Sequence, residues 1–117
     1  MEMNNLKFRA FDGGEMEYFD LEDIYHNKVN PFHGVRDIPI MQFTGHTDKN
    51  GKEIYIHDVI QFSDIDFPYE VIINDFMQIP VVDNELGQMR LHECHSIVEV
   101  VGNTYQGKMN GKEDEND

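Results

Sequence analysis

The segment Ile40–Phe62 reads IMQFTGHTDKNGKEIYIHDVIQF. It holds two His and five charged side chains between apolar runs, a density that suits an active-site loop as readily as scaffolding. Taken residue by residue, it is scaffolding. IMQFTG is strand-like and ends at Gly45. DKNG is a turn: Asn50 and Gly51 accept left-handed backbone angles, and Asp48 is placed to bond the amides ahead of it. EIYIHDVIQF alternates only in part, with Ile54, Ile56 and Asp58 on one face and Tyr55, His57 and Val59 on the other. A kink at His57–Asp58, where Asp58 serves as a second turn carboxylate, lets Val59, Ile60 and Phe62 begin a fresh strand.

The same grammar extends outward. Leu6, Phe8 and Ala10 alternate with Lys7 and Arg9, Asp12–Gly14 supplies a tight turn, and Met16 and Tyr18 alternate with Glu15 and Glu17, which together predict a β-hairpin. Asp20 stands at the start of a short helix with Asp23 three residues on, and Leu21, Ile24 and Tyr25 share one helical face. Pro31, Gly34 and Pro39 mark a loop. Asp64 and Asp66 fall in another. YEVIIND and FMQIPVV are strand candidates split at Asn74–Asp75, and Pro80 assigns the second to an edge or bulge. DNELGQ is a turn, and RLHECHSIVEVVG is the last strand before GNTY closes the fold. Six or seven short strands with frequent turns and little helix define a mainly β chain: a small barrel or roll of antiparallel strands with an N-terminal hairpin and one short helix. Residues 1–105 form a single domain, and 106–117, without hydrophobic periodicity, a disordered polar tail.

Composition narrows the function classes. The 117 residues carry 9 Lys and Arg against 23 Asp and Glu, a formal charge of −14. The cations are scattered, so direct binding to nucleic acid or to an anionic membrane is not expected. Acidity suits solubility, a basic protein partner or imitation of phosphate charge. The single cysteine, Cys94, excludes an intramolecular disulfide and a Cys-rich zinc site. The N-terminus shows no basic-then-apolar leader and no apolar run is long enough to span a bilayer, so the expected location is the cytoplasm.

No constellation commits to catalysis. HECH (His92–His95) has zinc-ligand chemistry, but on a strand His92 and Cys94 face away from Glu93 and His95, and a site needs His46 or His57 from elsewhere. The competing role for Cys94 is a small buried hydrophobe. Adjacent strand residues diverge, so Cys94 and His95 do not form a nucleophile–base pair. Ser63 and Ser96 lack a nucleophile-elbow context, DKNGKE lacks P-loop spacing, and DIDFPYE does not match a calcium loop. Phe8, Phe11, Phe43, Tyr55 and Phe62 suit a core or interface. No catalytic, cofactor-binding or metal-binding residue is assigned, and no cofactor.

Four blocks together resemble the YopX family of temperate phages and prophages: KFRAFD (Lys7–Asp12, with Phe11 where the family has Trp), EDI (Glu22–Ile24), IMQFTGHTDKNGKEIYIHDVI (Ile40–Ile60) and VEVVGNTY (Val98–Tyr105). His57 departs from the family's Gly, the acidic-Asn-Pro-Glu ending is replaced after Tyr105 by Gln106–Lys108, and residues 63–93 carry no matching motif. The resemblance implies an SH3-like barrel or roll, self-association, and a phage or prophage origin with no established biochemical function. The expectation is a non-enzymatic accessory protein of the bacterial host cytoplasm, forming a homo-oligomer or binding an unidentified host or phage protein. The rival expectations are an acidic DNA mimic that inhibits a host nucleic-acid-binding protein, and a metal-dependent hydrolase.

Overall fold

A computed structural model describes residues 6–12, 14–25, 39–63 and 67–106. Its contacts group into two units, Met1–Phe43 and Thr44–Asp117. In the first unit, β1 (Lys7–Asp12) and β2 (Glu15–Asp20) form the expected hairpin, in register from Lys7↔Asp20 to Asp12↔Glu15. Gly14 provides the positive φ of the turn, 87°. The hairpin is followed by α1 (Leu21–Tyr25). Asp20 Oδ1 accepts from Asp23 N–H at 2.9 Å and Asp23 Oδ2 accepts from Asp20 N–H at 3.0 Å. This is a capping box with Asp in the Glu position, which satisfies two helix-start donors reciprocally. The first half of β3 (Ile40–Thr47) pairs antiparallel with β1, Phe8↔Gln42 to Ala10↔Ile40. Phe8 stacks on Phe19 at 5.7 Å, and the buried Arg9 Nε lies 3.3 Å from Met41 Sδ.

The second unit begins inside β3. The strand does not stop at Gly45 but passes through it, with φ 90° there, and continues to Thr47. Beside its second half runs β4 (Glu53–Tyr55), after the Asp48–Gly51 turn. The chain then turns at Ile56–His57 and enters a five-stranded antiparallel sheet in the order β8-β7-β6-β5-β9. Its strands are β5 (Asp58–Phe62), β6 (Tyr69–Ile73), β7 (Pro80–Asn84), β8 (Gly87–Arg90) and β9 (Val98–Asn103). The core gathers Ile54, Ile60, Phe62, Tyr69, Val71, Val82, Leu91, Cys94 and Val98. The fresh strand expected after the kink is β5, where Ile60 and Phe62 are buried and Val59 and Gln61 half-exposed, the period-2 pattern of a strand with one face inward. The fold class is the expected one: mainly β, two antiparallel sheets, a curled half-barrel, a hairpin and a short helix.

Three local expectations are corrected. Nine strands are formed among the described residues, more than the six or seven expected. The segment taken as one long last strand opens instead with α2 (Leu91–Cys94) and a 3-10 turn (His95–Ile97), and only then becomes β9. Leu91, Cys94 and Val98 are all buried, a spacing that a helical turn brings to one side and a strand does not. The split at Asn74–Asp75 is real, but Phe76 and Met77 belong to the turn, and Pro80 opens a strand flanked on both sides rather than an edge. Pro is tolerated there because a first strand residue can do without a ladder donor. Residues 107–117 of the expected tail, the Pro31–Gly34 loop and Asp64–Asp66 lie outside the described residues, while Gln106 sits in the closing turn.

If burial of Cys94 is a packing role, Cys94→Ala is expected to cost about 1–2 kcal/mol in chemical denaturation, and thiol reagents are expected to leave the native protein unmodified until it unfolds.

Candidate functional site

The polar residues of the long family-like segment converge on β9. Asp48, 5 % exposed, accepts from Asn50 N–H at 2.8 Å and Lys52 N–H at 2.9 Å through Oδ1, and from Val100 N–H at 2.9 Å through Oδ2. Lys49 N–H donates to Val98 C=O at 2.9 Å. Burial pushes the Asp48 carboxyl upward, but the amides of Val100, Lys52 and Asn50, with the Lys52 charge, outweigh it and hold the group below its ordinary value. Asp58, 1 % exposed, accepts from Tyr55 N–H at 2.8 Å and stands opposite Asn103. Asn103 Oδ1 then accepts from Tyr105 N–H at 2.9 Å and Gln106 N–H at 2.7 Å, which shapes the closing turn.

Between the two carboxylates, His57 has φ 75°. Its N–H donates to Val71 C=O at 2.7 Å and its C=O accepts from Thr104 N–H at 2.9 Å, so neighbouring strands and the closing turn lock this backbone. The ring nitrogen Nδ1 lies 2.7 Å from Glu70 Oε2, and the ring meets Tyr105 edge-on at 5.8 Å. These are framework contacts, each made to a strand or turn of the same unit.

The HECH quartet does not form a site. Leu91 and Cys94 point into the core, His92 and Glu93 are exposed, and burial, with Glu93 nearby, pushes the Cys94 thiol up to about 11. His95 instead stacks on His46 at 4.6 Å, with Nδ1 donating to Thr47 C=O at 2.8 Å. Burial first, then His95 and His92, push the His46 imidazole below its ordinary 6.5. Among the described residues no three His, Cys, Asp or Glu are grouped as a metal ion would require. His57 lies with Glu70 rather than with the quartet.

The feature that sequence reasoning missed lies in the segment 63–93. Asn74 Oδ1 accepts from Phe76 N–H at 2.9 Å and Met77 N–H at 2.8 Å, Asn74 N–H donates to Ile79 C=O at 2.9 Å, and Gln78 N–H donates to Asn74 C=O at 2.7 Å. Asn74 Nδ2 also donates to Gln88 Oε1 at 2.8 Å, tying the turn to β8. The turn is therefore fixed, yet it carries Phe76 at 94 % exposure. Ile73, Met77, Leu86 and Met89 are exposed in the same β6–β8 region. An open depression of about 320 Å³ lies there, floored by the buried Val81 and bounded by Met77, Gln88, Met89, Arg90 and Glu93. The sequence signal was Asn74–Asp75 between two apolar runs, which marks an Asx turn.

In the second unit the Asp48 and Asp58 carboxylates thus brace the backbone around β9 and the closing turn, and exposed apolar side chains stand in the β6–β8 region. The family model for the YopX protein matches residues 21–108, three quarters of the chain, and the chain belongs to the YopX family. The matched span includes the EDI, Ile40–Ile60 and Val98–Tyr105 blocks, while KFRAFD precedes it. Membership suggests a phage-type protein. No curated protein matches the chain. Among the described residues no helix is long and apolar enough to cross a membrane.

Asp48→Ala strands three amides and is expected to destabilise the fold by about 3 kcal/mol in urea denaturation, whereas Asp48→Asn, which keeps one acceptor oxygen, costs less. Because the Asp48 carboxyl is held low in the folded state, its contribution is full above the ordinary carboxylate value and is lost as pH falls through the folded one. His57→Gly removes the Glu70 and Tyr105 contacts together with the left-handed strain, whereas His57→Ala removes the contacts alone. The Gly variant is therefore expected to be more stable than the Ala variant by about 1 kcal/mol. His46 takes up a proton less readily folded than unfolded, so its contribution is present above about pH 6.5 and declines on acidification. His46→Gln is expected to flatten the loss of denaturation midpoint between about pH 7 and about pH 5.

Proposed function

We propose that this chain is a non-enzymatic phage or prophage accessory protein that acts in the host cytoplasm by self-association. The observation that carries this reading is the asymmetry of the five-stranded sheet. At one edge, two groups of β9 are already occupied: Val98 C=O by Lys49 N–H, and Val100 N–H by the Asp48 carboxylate. At the other edge, β8 pairs with β7 alone among the described residues, and all four of its residues are exposed. An unprotected strand edge presents a ladder of donors and acceptors that a second strand satisfies. Exposed apolar side chains gathered beside that edge supply the burial that backbone pairing alone lacks.

Charge makes the reading testable. Two copies of a −14 chain repel, so contact through an apolar edge is expected to strengthen as salt screens that repulsion. An acidic surface working on a basic partner would respond in the opposite sense. Sedimentation velocity across a wide concentration range, at low and high salt, is expected to show a reversible oligomer favoured by salt. A strict monomer at the highest concentration overturns the reading.

A further inference from the structure

We infer that Asn50 is a site of spontaneous covalent modification, converted to aspartate and isoaspartate through a succinimide closed by the Gly51 amide, and that the Asp48 turn gates the reaction. The inference is independent of the association proposed above. Four Asn stand among the described residues: Asn50, Asn74, Asn84 and Asn103. Three of them have engaged carboxamides. Asn74 Oδ1 accepts from Phe76 N–H, Asn84 Oδ1 from Leu86 N–H and Asn103 Oδ1 from Tyr105 N–H. Asn50 is exposed, and its carboxamide has no hydrogen bond among the described residues. It is also the one of the four that precedes a glycine. Gly51 has no Cβ to obstruct its own nitrogen, and open space surrounds the position where a Cβ would stand. An unrestrained carboxamide beside an unshielded backbone amide is the arrangement that cyclisation needs.

The step balances with water alone. The Gly51 amide loses its proton to hydroxide, and its nitrogen bonds to Asn50 Cγ. The Cγ–Nδ2 bond breaks, and Nδ2 leaves as ammonia after taking up a proton. Water then opens the ring at one of its two carbonyls. Opening at Cγ gives aspartate. Opening at the main-chain carbonyl gives isoaspartate, in which the backbone runs through the side chain. Either product adds one negative charge to a chain already at −14.

The folded turn opposes this chemistry at the nucleophile. Gly51 N–H donates to Asp48 C=O at 3.0 Å, so the amide must give up that bond before it loses its proton and swings onto Cγ. The amides on both sides of it, Asn50 N–H and Lys52 N–H, are held by Asp48 Oδ1. Reaction therefore proceeds from the open turn, and its rate follows the local opening equilibrium. The isoaspartyl product cannot reclose in the same way. It inserts one carbon into the main chain between residues 50 and 51, and the two amides that share Asp48 Oδ1 lie on either side of that insertion. The new carboxylate also stands two residues from that of Asp48. Because Asp48 Oδ2 holds Val100 N–H, loosening of the turn reaches β9. Modification at Asn50 thus removes the brace irreversibly.

The test ages the full chain in mildly alkaline buffer, native and in urea, and maps peptides by mass spectrometry with an isoaspartate-specific methyltransferase as probe. Mapping separates Asn50 from the second Asn–Gly pair, Asn110–Gly111, which lies outside the described residues. Product is expected at Asn50 in the native chain, forming roughly tenfold or more slowly than in urea. Asp48→Asn, which keeps one acceptor oxygen, is expected to raise the native rate several-fold. Aged wild type is expected to unfold at lower urea than fresh protein, and aged Asn50→Ser to keep its midpoint. A native chain that gains no product at Asn50 while the unfolded chain reacts overturns the site. Equal native and unfolded rates, or a native rate that Asp48→Asn leaves unchanged, overturn the gate. Modified protein with an unchanged midpoint overturns the loss of the brace.

Discussion

The carboxylate of Asp48 is the constraint on which the second unit depends. It lies in the turn between β3 and β4, yet one of its oxygens reaches the amide of Val100, 52 positions along the chain. A charged acceptor of backbone amides contributes more than a neutral one, roughly 1.5–3 kcal/mol each before the cost of burial. Three such donors let a nearly buried carboxylate stay ionised. The consequence is topological as well as energetic. With Lys49 on Val98, the same turn occupies two backbone groups of β9, so the start of this edge strand is covered. Asp58 repeats the device one turn later and, through the facing Asn103, sets the path of the closing segment.

Much of this was legible because it is local. Asp, Asn and Gly at turn offsets, alternation around Asp12–Gly14, and Asp20 with Asp23 each have a mechanism that works within a few residues. The fold class followed from these signals, and the kink at His57–Asp58 was found by the failure of alternation. What was lost is non-local or ambiguous. In RLHECHSIVEV the apolar residues Leu91, Cys94, Ile97 and Val98 stand three, three and one apart, a helical spacing, and alternation starts only at Val98–Glu99–Val100, so one strand reading covered two patterns. The destination of the Asp48 carboxylate on β9 has no signature near Asp48. Nor does the exposure of Phe76: a Phe–Met pair before a strand looks like core until the Asn74 turn and its tie to Gln88 are seen.

His57 shows how a family's backbone requirement outlives its usual residue. The position has φ 75°, which Gly adopts without penalty and His does not. The backbone bonds to Val71 and Thr104 impose that angle whichever residue stands there. The side chain gained in exchange for the strain is used locally, on Glu70 and Tyr105, both in the neighbourhood of the closing turn. The segment after Tyr105, where this chain departs from the family's ending, thus coincides with a place where His57 adds a contact that Gly cannot make.

Acidity and the proposed self-association are physically compatible. A −14 chain is kept apart from its copies by long-range repulsion, which falls off over about a Debye length, roughly 8–10 Å at moderate salt. An interface that works against such a field must be short-ranged, apolar and already shaped, because it gains nothing from steering. The β8 end has that character: an aromatic fixed by an Asx turn, thioethers around an apolar floor, and an open strand edge. The β9 edge differs in kind. With two groups of β9 already held by the turn and β8 paired on one side alone among the described residues, any strand added to this sheet meets less competition at β8 than at β9.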